Sequence, residues 1–197
     1  MSRRLSPQAR RAEIVEVADA LIAAEGYRSL SLREVARRCG MSAPGLMHHF
    51  PDMESLLSAV LAHRDEVDIA AIAGGQPEDA SLEDVLEAAF LYYEERPEAT
   101  RRYDLLEAEA VDPTHPAHSY YVDRDARTWT RVQAILQREF EDPDEASKLL
   151  IAVFDGLRFR LLRDPEHVDL RSEWEAVRGA AIGSLKRRAD ARGLLER

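Results

Sequence analysis

The sequence has 197 residues, and its 27 basic and 37 acidic side chains give a formal net charge of −10. A hydrophobic fraction of 45% is typical of a globular protein and excludes a disordered acidic chain. The single cysteine, Cys39, excludes an intramolecular disulfide framework and any zinc site built from several cysteines. No uncharged apolar run approaches the roughly 20 residues of a membrane span, so we expect a cytoplasmic protein with no membrane partner.

Charge is distributed unevenly along the chain. Residues 1–50 carry eight arginines against five acidic residues, whereas residues 51–197 carry 19 basic and 32 acidic residues. Eleven of the thirteen aromatic residues also lie beyond residue 89. A small basic segment joined to a large acidic one indicates two roles on one chain, although a solvated surface with an accidental sign bias would give the same charges.

The first 70 residues predict four helices. Ile14, Ala18, Leu21 and Ile22 form an apolar stripe at helical spacing, which Gly26 ends. The next helix begins at Ser31, with Glu34 three residues later as in a capping box, and ends at Gly40. Ser42 caps a third short helix, and the fourth begins near Met53 and continues beyond Asp65.

Further helices are predicted at about 81–95, 98–111, 117–140, 144–163 and 170–190, with boundaries uncertain by about 2–4 residues. Prolines fall in the breaks between them, and no stretch alternates with the two-residue period of a strand. We therefore predict an all-α fold of about nine helices. Residues 1–52 would form a three-helix helix-turn-helix domain, and residues 53–197 an antiparallel helical bundle.

Residues 31–50, SLREVARRCGMSAPGLMHHF, contain the most informative pattern. Two short helices separated by a turn at Gly40 form a helix-turn-helix, and small residues begin the second helix. Such a helix can approach the floor of a DNA major groove. Spacing alone also fits an ordinary helical hairpin, but the confinement of the basic charge to this segment favours DNA.

Residues 8–63 resemble the N-terminal DNA-binding domain of the TetR family of bacterial transcriptional regulators. The resemblance rests on the segments Ile14 to Tyr27, Ser31 to Ala36, Gly40 to Ser42, Gly45 to Phe50 and Asp52 to Leu57. A weaker similarity to the penultimate helix of many members covers Phe154 to Leu157 and Leu161 to Pro165.

The resemblance implies which residues meet DNA. Arg33 would contact a base edge or a neighbouring phosphate, and Ser31 and Ser42 would contact phosphates. The remaining positions would face bases, the backbone or the groove wall; they are Ala43, Pro44, Gly45, Met47, His48 and His49. Many members carry Tyr at the position of Met47 and Lys at that of Met53, and neither methionine can donate a hydrogen bond to a phosphate.

An N-terminal arm is a candidate replacement for those two contacts. Arg3, Arg4, Arg10 and Arg11 would lie along the groove, or alternatively belong to a solvated tail. The other conspicuous residues favour structural roles. Cys39 fits a small core residue, and we predict no metal site, because a loop beside a helix start explains the loosely spaced Asp112, His115, His118 and Asp123 equally well.

Aromatic residues with interleaved acids in the second half suggest a small-molecule pocket, although most aromatic residues at helical spacing belong to cores. The resemblance places an effector pocket in this part of the chain. The candidate lining is Tyr93, Tyr103, Glu107, Tyr121, Trp129 and Phe154. Acidic residues such as Asp104 and Glu107 would suit a cationic or hydroxyl-bearing effector.

The last two predicted helices carry apolar stripes that burial within the subunit would explain. The resemblance favours instead a two-fold, four-helix dimer interface. The candidate interface residues are Leu150, Phe154, Leu157, Leu161, Trp174, Val177, Ala181, Ile182 and Leu185. Two recognition helices about 34–36 Å apart would read a palindrome, whereas one short helix contacts too few base pairs to be selective.

These observations together predict a homodimeric transcriptional repressor that a small-molecule effector releases from double-stranded DNA at a palindromic operator. No cofactor is expected. No phosphate-binding glycine loop, nucleophile elbow or paired His-Glu zinc motif occurs in the sequence, so we do not expect an enzyme. The alternatives are a dimer that binds DNA independently of any ligand and a helical-bundle enzyme.

Overall fold

The computed structural model describes residues 6–74, 76–77, 80–183 and 185–188. Within these ranges the chain folds into nine α-helices and one short 3₁₀ turn, Tyr27–Ser29. The helices are α1 Pro7–Glu25, α2 Leu32–Arg38, α3 Ala43–Met47, α4 Met53–Ala73, α5 Leu82–Glu94, α6 Pro97–Glu109, α7 His118–Leu136, α8 Pro143–Arg163 and α9 Leu170–Gly183. The all-α prediction is confirmed for the described part of the chain. None of the helices there combines the length and apolar character that crossing a membrane requires.

Two helices are shorter in the structure than the sequence predicted. Helix α7 ends at Leu136, and helix α9 ends at Gly183. The backbone segments that come after these two helices are hydrogen-bonded to each other: Glu141 N–H donates to the Lys186 carbonyl at 2.9 Å, and Arg188 N–H donates to the Glu139 carbonyl at 2.8 Å. This pairing between segments distant in sequence forms in place of the last predicted turns of the two helices. It leaves no periodic pattern in the sequence.

The helices form two compact units. Of the described residues, those up to 68 and those from 101 to 122 form unit 1, and those from 69 to 100 and from 123 onward form unit 2. Most of α6 and the first turn of α7 therefore belong with the N-terminal helices. The division into a DNA-binding domain at 1–52 and a ligand-binding and dimerisation domain at 53–197 remains a prediction.

Unit 1 has its own apolar core. Ile14 and Ile22 of α1, Leu46 of α3 and Leu56 of α4 are fully buried in one cluster, which Leu106 of α6 joins. The buried stripe on α1 follows from the helical spacing of its apolar residues. This core holds the short helices α2 and α3 in place, since helices of five to seven residues are not stable in isolation.

A polar contact adds α6 to this core. Tyr103 is 8% exposed, and its hydroxyl donates a hydrogen bond to a carboxylate oxygen of Asp19 on α1. Burial, together with the Asp19 charge, raises the pKa of Tyr103 well above its ordinary value, so the phenol stays protonated and donates. The Arg64 guanidinium lies 5.2 Å from the centre of the Tyr103 ring.

We expect Tyr103→Phe to lower the free energy of unfolding by about 2 kcal/mol, because it removes a hydrogen bond to a charged group. Asp19→Asn keeps an oxygen that can accept this hydrogen bond and should cost less. Urea unfolding followed by circular dichroism measures both changes. Equal stability of Tyr103→Phe and the wild type would show that the hydrogen bond contributes nothing.

Unit 2 contains a second apolar core, in which Phe90, Leu136, Leu157 and Trp174 are buried. Its α5 helix begins with a complete capping box: Ser81 N–H donates to Asp84 Oδ2 at 2.9 Å, and Asp84 N–H donates to Ser81 Oγ at 3.2 Å. The predicted helix start at Ser81 is therefore correct. The buried carboxylate of Glu139 accepts from Leu82 N–H at 2.6 Å and so satisfies another amide of the first turn.

Candidate nucleic-acid interface and effector cavity

The turn between α2 and α3 depends on Gly40. Its φ of +64° lies in the left-handed region, which L side chains rarely adopt, so the sequence needs glycine where the chain reverses. Met41 N–H donates to the Ala36 carbonyl at 2.9 Å and closes the end of α2. The predicted helix-turn-helix geometry is present from Ser31 to Phe50.

The α3 helix presents small and exposed residues beyond a single buried anchor. Leu46 is fully buried, whereas Pro44 and His48 are exposed and Met47 is 48% exposed. Ser42 Oγ accepts from Gly45 N–H at 3.2 Å. A Cβ added at Gly45 would lie 3.2 Å from that oxygen, so glycine leaves room for the cap as well as for a close neighbour. Ala43 and His49 are partly exposed.

The arginines of α2 differ in their contacts. Glu34 binds Arg37 at 2.5 Å and Arg38 at 2.7 Å, and these hydrogen bonds lower the pKa of Glu34 to about 2. Only half of the expected capping box forms at this helix: Ser31 Oγ accepts from Glu34 N–H at 3.1 Å, while the Glu34 carboxylate is engaged by the two arginines. Arg33 is exposed and takes no part in these pairs.

The expected N-terminal arm is shorter than the arginine pattern suggested. Arg10 and Arg11 lie within α1, so their assignment to a flexible arm is wrong. Arg11 donates to the His49 carbonyl at 2.6 Å, and its guanidinium lies 3.9 Å from the centre of the Phe50 ring, where it supports the end of the helix-turn-helix. Arg3 and Arg4 lie outside the described residues.

In the loop between α6 and α7, polar side chains form hydrogen bonds with nearby backbone groups. Asp112 Oδ1 accepts from Thr114 N–H at 2.8 Å, and His115 Nδ1 accepts from Ala117 N–H at 3.1 Å. His118 Nδ1 lies 2.8 Å from the Ala110 carbonyl. Among the described residues no group of three or more His, Cys, Asp or Glu side chains is arranged to hold a metal ion.

Unit 2 contains a cavity of about 240 Å³. Residues of α4, α5, α7 and α8 line it, and most are apolar or aromatic. The lining is Ile72, Leu82, Val85, Leu86, Ala89, Tyr93, Arg124, Thr128, Val132, Ile135, Leu136, Leu150, Ile151, Phe154, Asp155 and Arg158. Such a concave apolar surface with a few polar groups is typical of a small-molecule site.

Two of the six predicted effector residues meet at this cavity. Tyr93 and Phe154 line it, with their ring centres 5.8 Å apart. The structure places Tyr103, Glu107 and Tyr121 in unit 1 instead, where both tyrosines belong to the core. Trp129 lies on α7 but does not line the cavity. The reason is that α6 packs within unit 1, which no local pattern indicates.

The charged end of the cavity is formed by Arg124, Asp155 and Arg158. Arg158 is 7% exposed and its Nη2 lies 3.5 Å from Asp155 Oδ1. Burial raises the pKa of the Asp155 carboxyl; the two arginines oppose this rise, and the carboxylate of Asp125 adds to it. Sequence reasoning missed Arg124 as a site residue. The signal was that residues 124, 128, 132 and 135 share one face of α7.

The predicted dimer residues lie mainly inside the subunit. Leu150, Leu157, Leu161, Trp174, Ala181 and Leu185 are buried in the core of unit 2, while Phe154, Val177 and Ile182 are partly buried against it. The exposed face of α8 and α9 consists of other residues. Its small and apolar members are Ala152, Gly156 and Phe159 on α8, and Ala176, Gly179, Ala180 and Gly183 on α9. A Cβ added at any of these three glycines would meet no atom of the subunit within 4 Å, so none is required by close packing within the chain.

Comparison with known proteins agrees with the geometry of the N-terminal helices. Residues 14–60 match the model of the bacterial regulatory proteins of the tetR family. The resemblance inferred from the sequence is thereby confirmed for these residues. None of the curated proteins compared with this sequence matches it significantly.

Solved structures share the fold over nearly the whole chain. A transcriptional regulator from Rhodococcus sp. Rha1 has a TM-score of 0.71 at 20% identity, covering 92% of this chain and 98% of that one. A transcriptional regulator from Saccharomonospora viridis in complex with choline has a TM-score of 0.65 at 19% identity, covering 93% and 100%. The multidrug binding protein EbrR complexed with imidazole has a TM-score of 0.68 at 21% identity, covering 86% and 93%.

Proposed function

We propose that the protein is a homodimeric repressor, which a small molecule releases from a palindromic operator. The observation that carries this proposal is the combination, in one chain, of an exposed recognition helix in unit 1 and an apolar cavity in unit 2. Choline and imidazole in similar structures support a ligand-binding role for such a cavity. Operator binding would place the protein in the cytoplasm.

The proposed DNA contacts come from the helix-turn-helix. Arg33 supplies a base or phosphate contact, and Ser31 and Ser42 supply phosphate contacts while they cap their helices. Ala43, Pro44 and Gly45 face bases because they leave little side-chain volume between the backbone and the groove. Met47, His48 and His49 follow along the groove wall and the sugar-phosphate backbone.

The proposed dimer interface uses the exposed face of α8 and α9. Positions 172, 176, 179, 180 and 183 of α9 recur at helical spacing and are exposed in the single chain. Small residues there let a second copy approach closely, and Phe159, 47% exposed, adds apolar area beside them. The buried stripes stabilise the subunit, and the exposed face is left for the partner.

The proposed switch runs through α4 and α7, each of which contributes residues to both units. Leu56 of α4 is buried in the core of unit 1, whereas Ile72 of the same helix lines the cavity. Tyr120 of α7 donates to Asp65 of α4 at 2.5 Å in unit 1, and Arg124 lies one turn further along α7 at the cavity. A ligand that favours one arrangement of these helices shifts the population towards it.

Operator selection from genomic fragments, followed by fluorescence anisotropy, tests the proposal. We expect one palindromic sequence to be enriched and a cavity ligand to weaken binding to it. Unchanged operator affinity with ligand bound would contradict the switch and support the alternative, a DNA-binding dimer that does not respond to ligands. Failure to enrich any sequence would contradict operator recognition itself.

The N-terminal arginines are expected to set part of the salt dependence of operator binding. Replacing Arg3 and Arg4 with Ala should flatten the slope of log K against log salt by roughly 0.9 for each phosphate that the variant no longer neutralises. The substitutions are preferable to deleting residues 1–6, because Ser6 Oγ accepts from Ala9 N–H and caps α1. An unchanged slope would show that the arm does not touch the DNA backbone.

A further inference from the structure

The wall of the unit 2 cavity is mainly hydrocarbon. Of the sixteen residues that line it, ten are aliphatic and two, Tyr93 and Phe154, are aromatic. The remaining four are Arg124, Thr128, Asp155 and Arg158. Most of the binding free energy that such a wall offers comes from removing apolar surface of the ligand from water.

The charged side chains at the cavity interact with each other. Arg158 Nη2 lies 3.5 Å from Asp155 Oδ1, and the Arg158 guanidinium lies 5.9 Å from the centre of the Tyr93 ring. Burial raises the pKa of the Asp155 carboxyl, whereas Arg158 and Arg124 oppose the rise, so both guanidiniums act on this carboxylate. The carboxylate of Asp125 acts on it as well. Two guanidiniums are thus balanced by two carboxylates, and both arginines have further interactions within the protein.

This arrangement disfavours a ligand of either charge. An anion at the guanidiniums would compete with the carboxylates that already face them, and a cation at the carboxylates would compete with the guanidiniums. A charged head would in addition lose its hydration against the apolar wall, which costs free energy unless the head is fully paired. An uncharged molecule avoids both costs.

The volume of the cavity indicates the size of the ligand. An apolar cavity of about 150 Å³ is large enough to bind benzene. The unit 2 cavity has a volume of about 240 Å³ and therefore accommodates a molecule larger than one ring. The rings of Tyr93 and Phe154, whose centres lie 5.8 Å apart, give an aromatic ligand two surfaces to pack against.

We propose that the effector is an uncharged, predominantly apolar molecule about the size of two fused aromatic rings. This inference rests on the proposed function of the cavity as the effector site. The proposed class differs from the cationic or hydroxyl-bearing ligand that Asp104 and Glu107 suggested in the sequence. Both of those residues lie in unit 1 and do not line the cavity.

The test compares probes that differ in charge or in size. Isothermal titration calorimetry of the full-length protein measures binding of uncharged 2-acetylnaphthalene, anionic 2-naphthoate, cationic 2-naphthylmethylammonium and the single-ring acetophenone. We expect 2-acetylnaphthalene to bind roughly tenfold more tightly than each of the other three, because it buries two rings without desolvating a charge. If either ion or acetophenone bound as tightly, or if no probe bound, the proposal would be overturned.

A cavity-filling variant locates the binding site. Val132 lines the cavity and is partly buried, so Val132→Phe should occupy part of the volume and weaken 2-acetylnaphthalene binding by roughly tenfold. Val122→Phe is the matched control, because Val122 is 57% exposed on the same helix and does not line the cavity. Equal affinities of the two variants would place the ligand elsewhere and overturn the proposal.

A second variant tests the charge argument without adding volume. Asp155→Asn removes one of the carboxylates that face the guanidiniums, so 2-naphthoate should bind roughly tenfold more tightly than it binds the wild type. The preference for the uncharged probe should narrow accordingly. An unchanged preference would show that the paired charges do not exclude anions, and the proposal would fail.

The effector proposal and the proposed function fail in different measurements. If 2-acetylnaphthalene binds as expected but leaves operator affinity unchanged, the switch is contradicted and the ligand class is retained. If one of the ions alone releases the operator, the switch is retained and the uncharged class is overturned. Fluorescence anisotropy with labelled operator, recorded beside the calorimetry, distinguishes these outcomes.

Discussion

Pro44→Glu is expected to abolish operator binding while leaving the protein folded. Pro44 is exposed in the first turn of α3, between Ala43 and Gly45 at the proposed DNA surface. A carboxylate there would face phosphates and base edges, and juxtaposed like charges cost several kcal/mol. We expect the operator affinity to fall by at least roughly a hundredfold, since each 1.4 kcal/mol corresponds to about a factor of ten.

The stability of this variant should change little, because two effects oppose each other. Losing proline increases the conformational entropy of the unfolded chain, which costs about 0.4–1 kcal/mol. A carboxylate in the first helical turn interacts favourably with the helix dipole by about 0.3–1 kcal/mol. Thermal unfolding therefore separates lost recognition from lost folding.

Ala108→Glu is the matched control for the recognition variant. Ala108 is exposed on α6 of unit 1 and lies outside the helix-turn-helix, and the substitution adds the same charge. Its operator affinity should stay close to that of the wild type. Tight operator binding by Pro44→Glu would mean that α3 is not the recognition helix.

Ala180→Glu is expected to convert the proposed dimer into a monomer. Ala180 is exposed on α9, within the face that carries Gly179 and Gly183. A two-fold axis through this face would bring the two introduced carboxylates near each other and force them out of water, and both effects oppose association. Size-exclusion chromatography with light scattering measures the change in mass.

Operator affinity should fall together with the dimer. Two linked DNA-binding domains bind about 10²–10⁴ times more tightly than one, because binding of the first raises the effective concentration of the second at the DNA. The monomer should therefore bind the operator at least roughly a hundredfold more weakly. Ala126→Glu, an exposed position on α7 of unit 2, adds the same charge outside the proposed interface and should remain dimeric. If Ala180→Glu remained dimeric, the exposed face of α8 and α9 would not be the dimer interface.

The N-terminal helices could be predicted closely because their signals are local. Gly26 and Gly40 both have positive φ where the sequence indicated helix ends, and Ser31 and Ser42 cap α2 and α3 as expected. Each of these features depends on residues within a few positions of one another. Helix-turn-helix geometry is therefore specified by a short segment, and it follows from capping, chain reversal and apolar spacing.

The cavity could be predicted only in part, because its lining comes from four helices that are distant in sequence. Tyr93 and Phe154 stood out as aromatic residues within acidic surroundings, and both line it. Tyr103 and Tyr121 showed the same local pattern, yet they pack in the core of unit 1. A pattern of rings at helical spacing identifies buried faces but does not say which core each face joins.

The charged residues also show what the sequence indicated and what only the structure added. A net charge of −10 for the whole chain gave no hint of a DNA partner, whereas the excess of arginine in the first 50 residues did. Within that segment the structure separates the arginines further. Arg37 and Arg38 share Glu34, and Arg11 supports Phe50, which leaves Arg33 as the guanidinium of α2 that is outside the Glu34 pairs.

The sequence by itself determined that the described chain is helical, where most of its helices begin and end, and that residues 8–63 resemble the DNA-binding domain of the TetR family. Those properties depend on helical periodicity, caps and glycine conformations, all of which act over a few residues. Only the tertiary structure decided that α6 packs in unit 1, that Arg124 and Arg158 line the cavity, and that the apolar stripes of α8 and α9 face inward. Packing between distant segments decides such matters, because the same apolar face can be buried against any complementary surface that the fold brings to it.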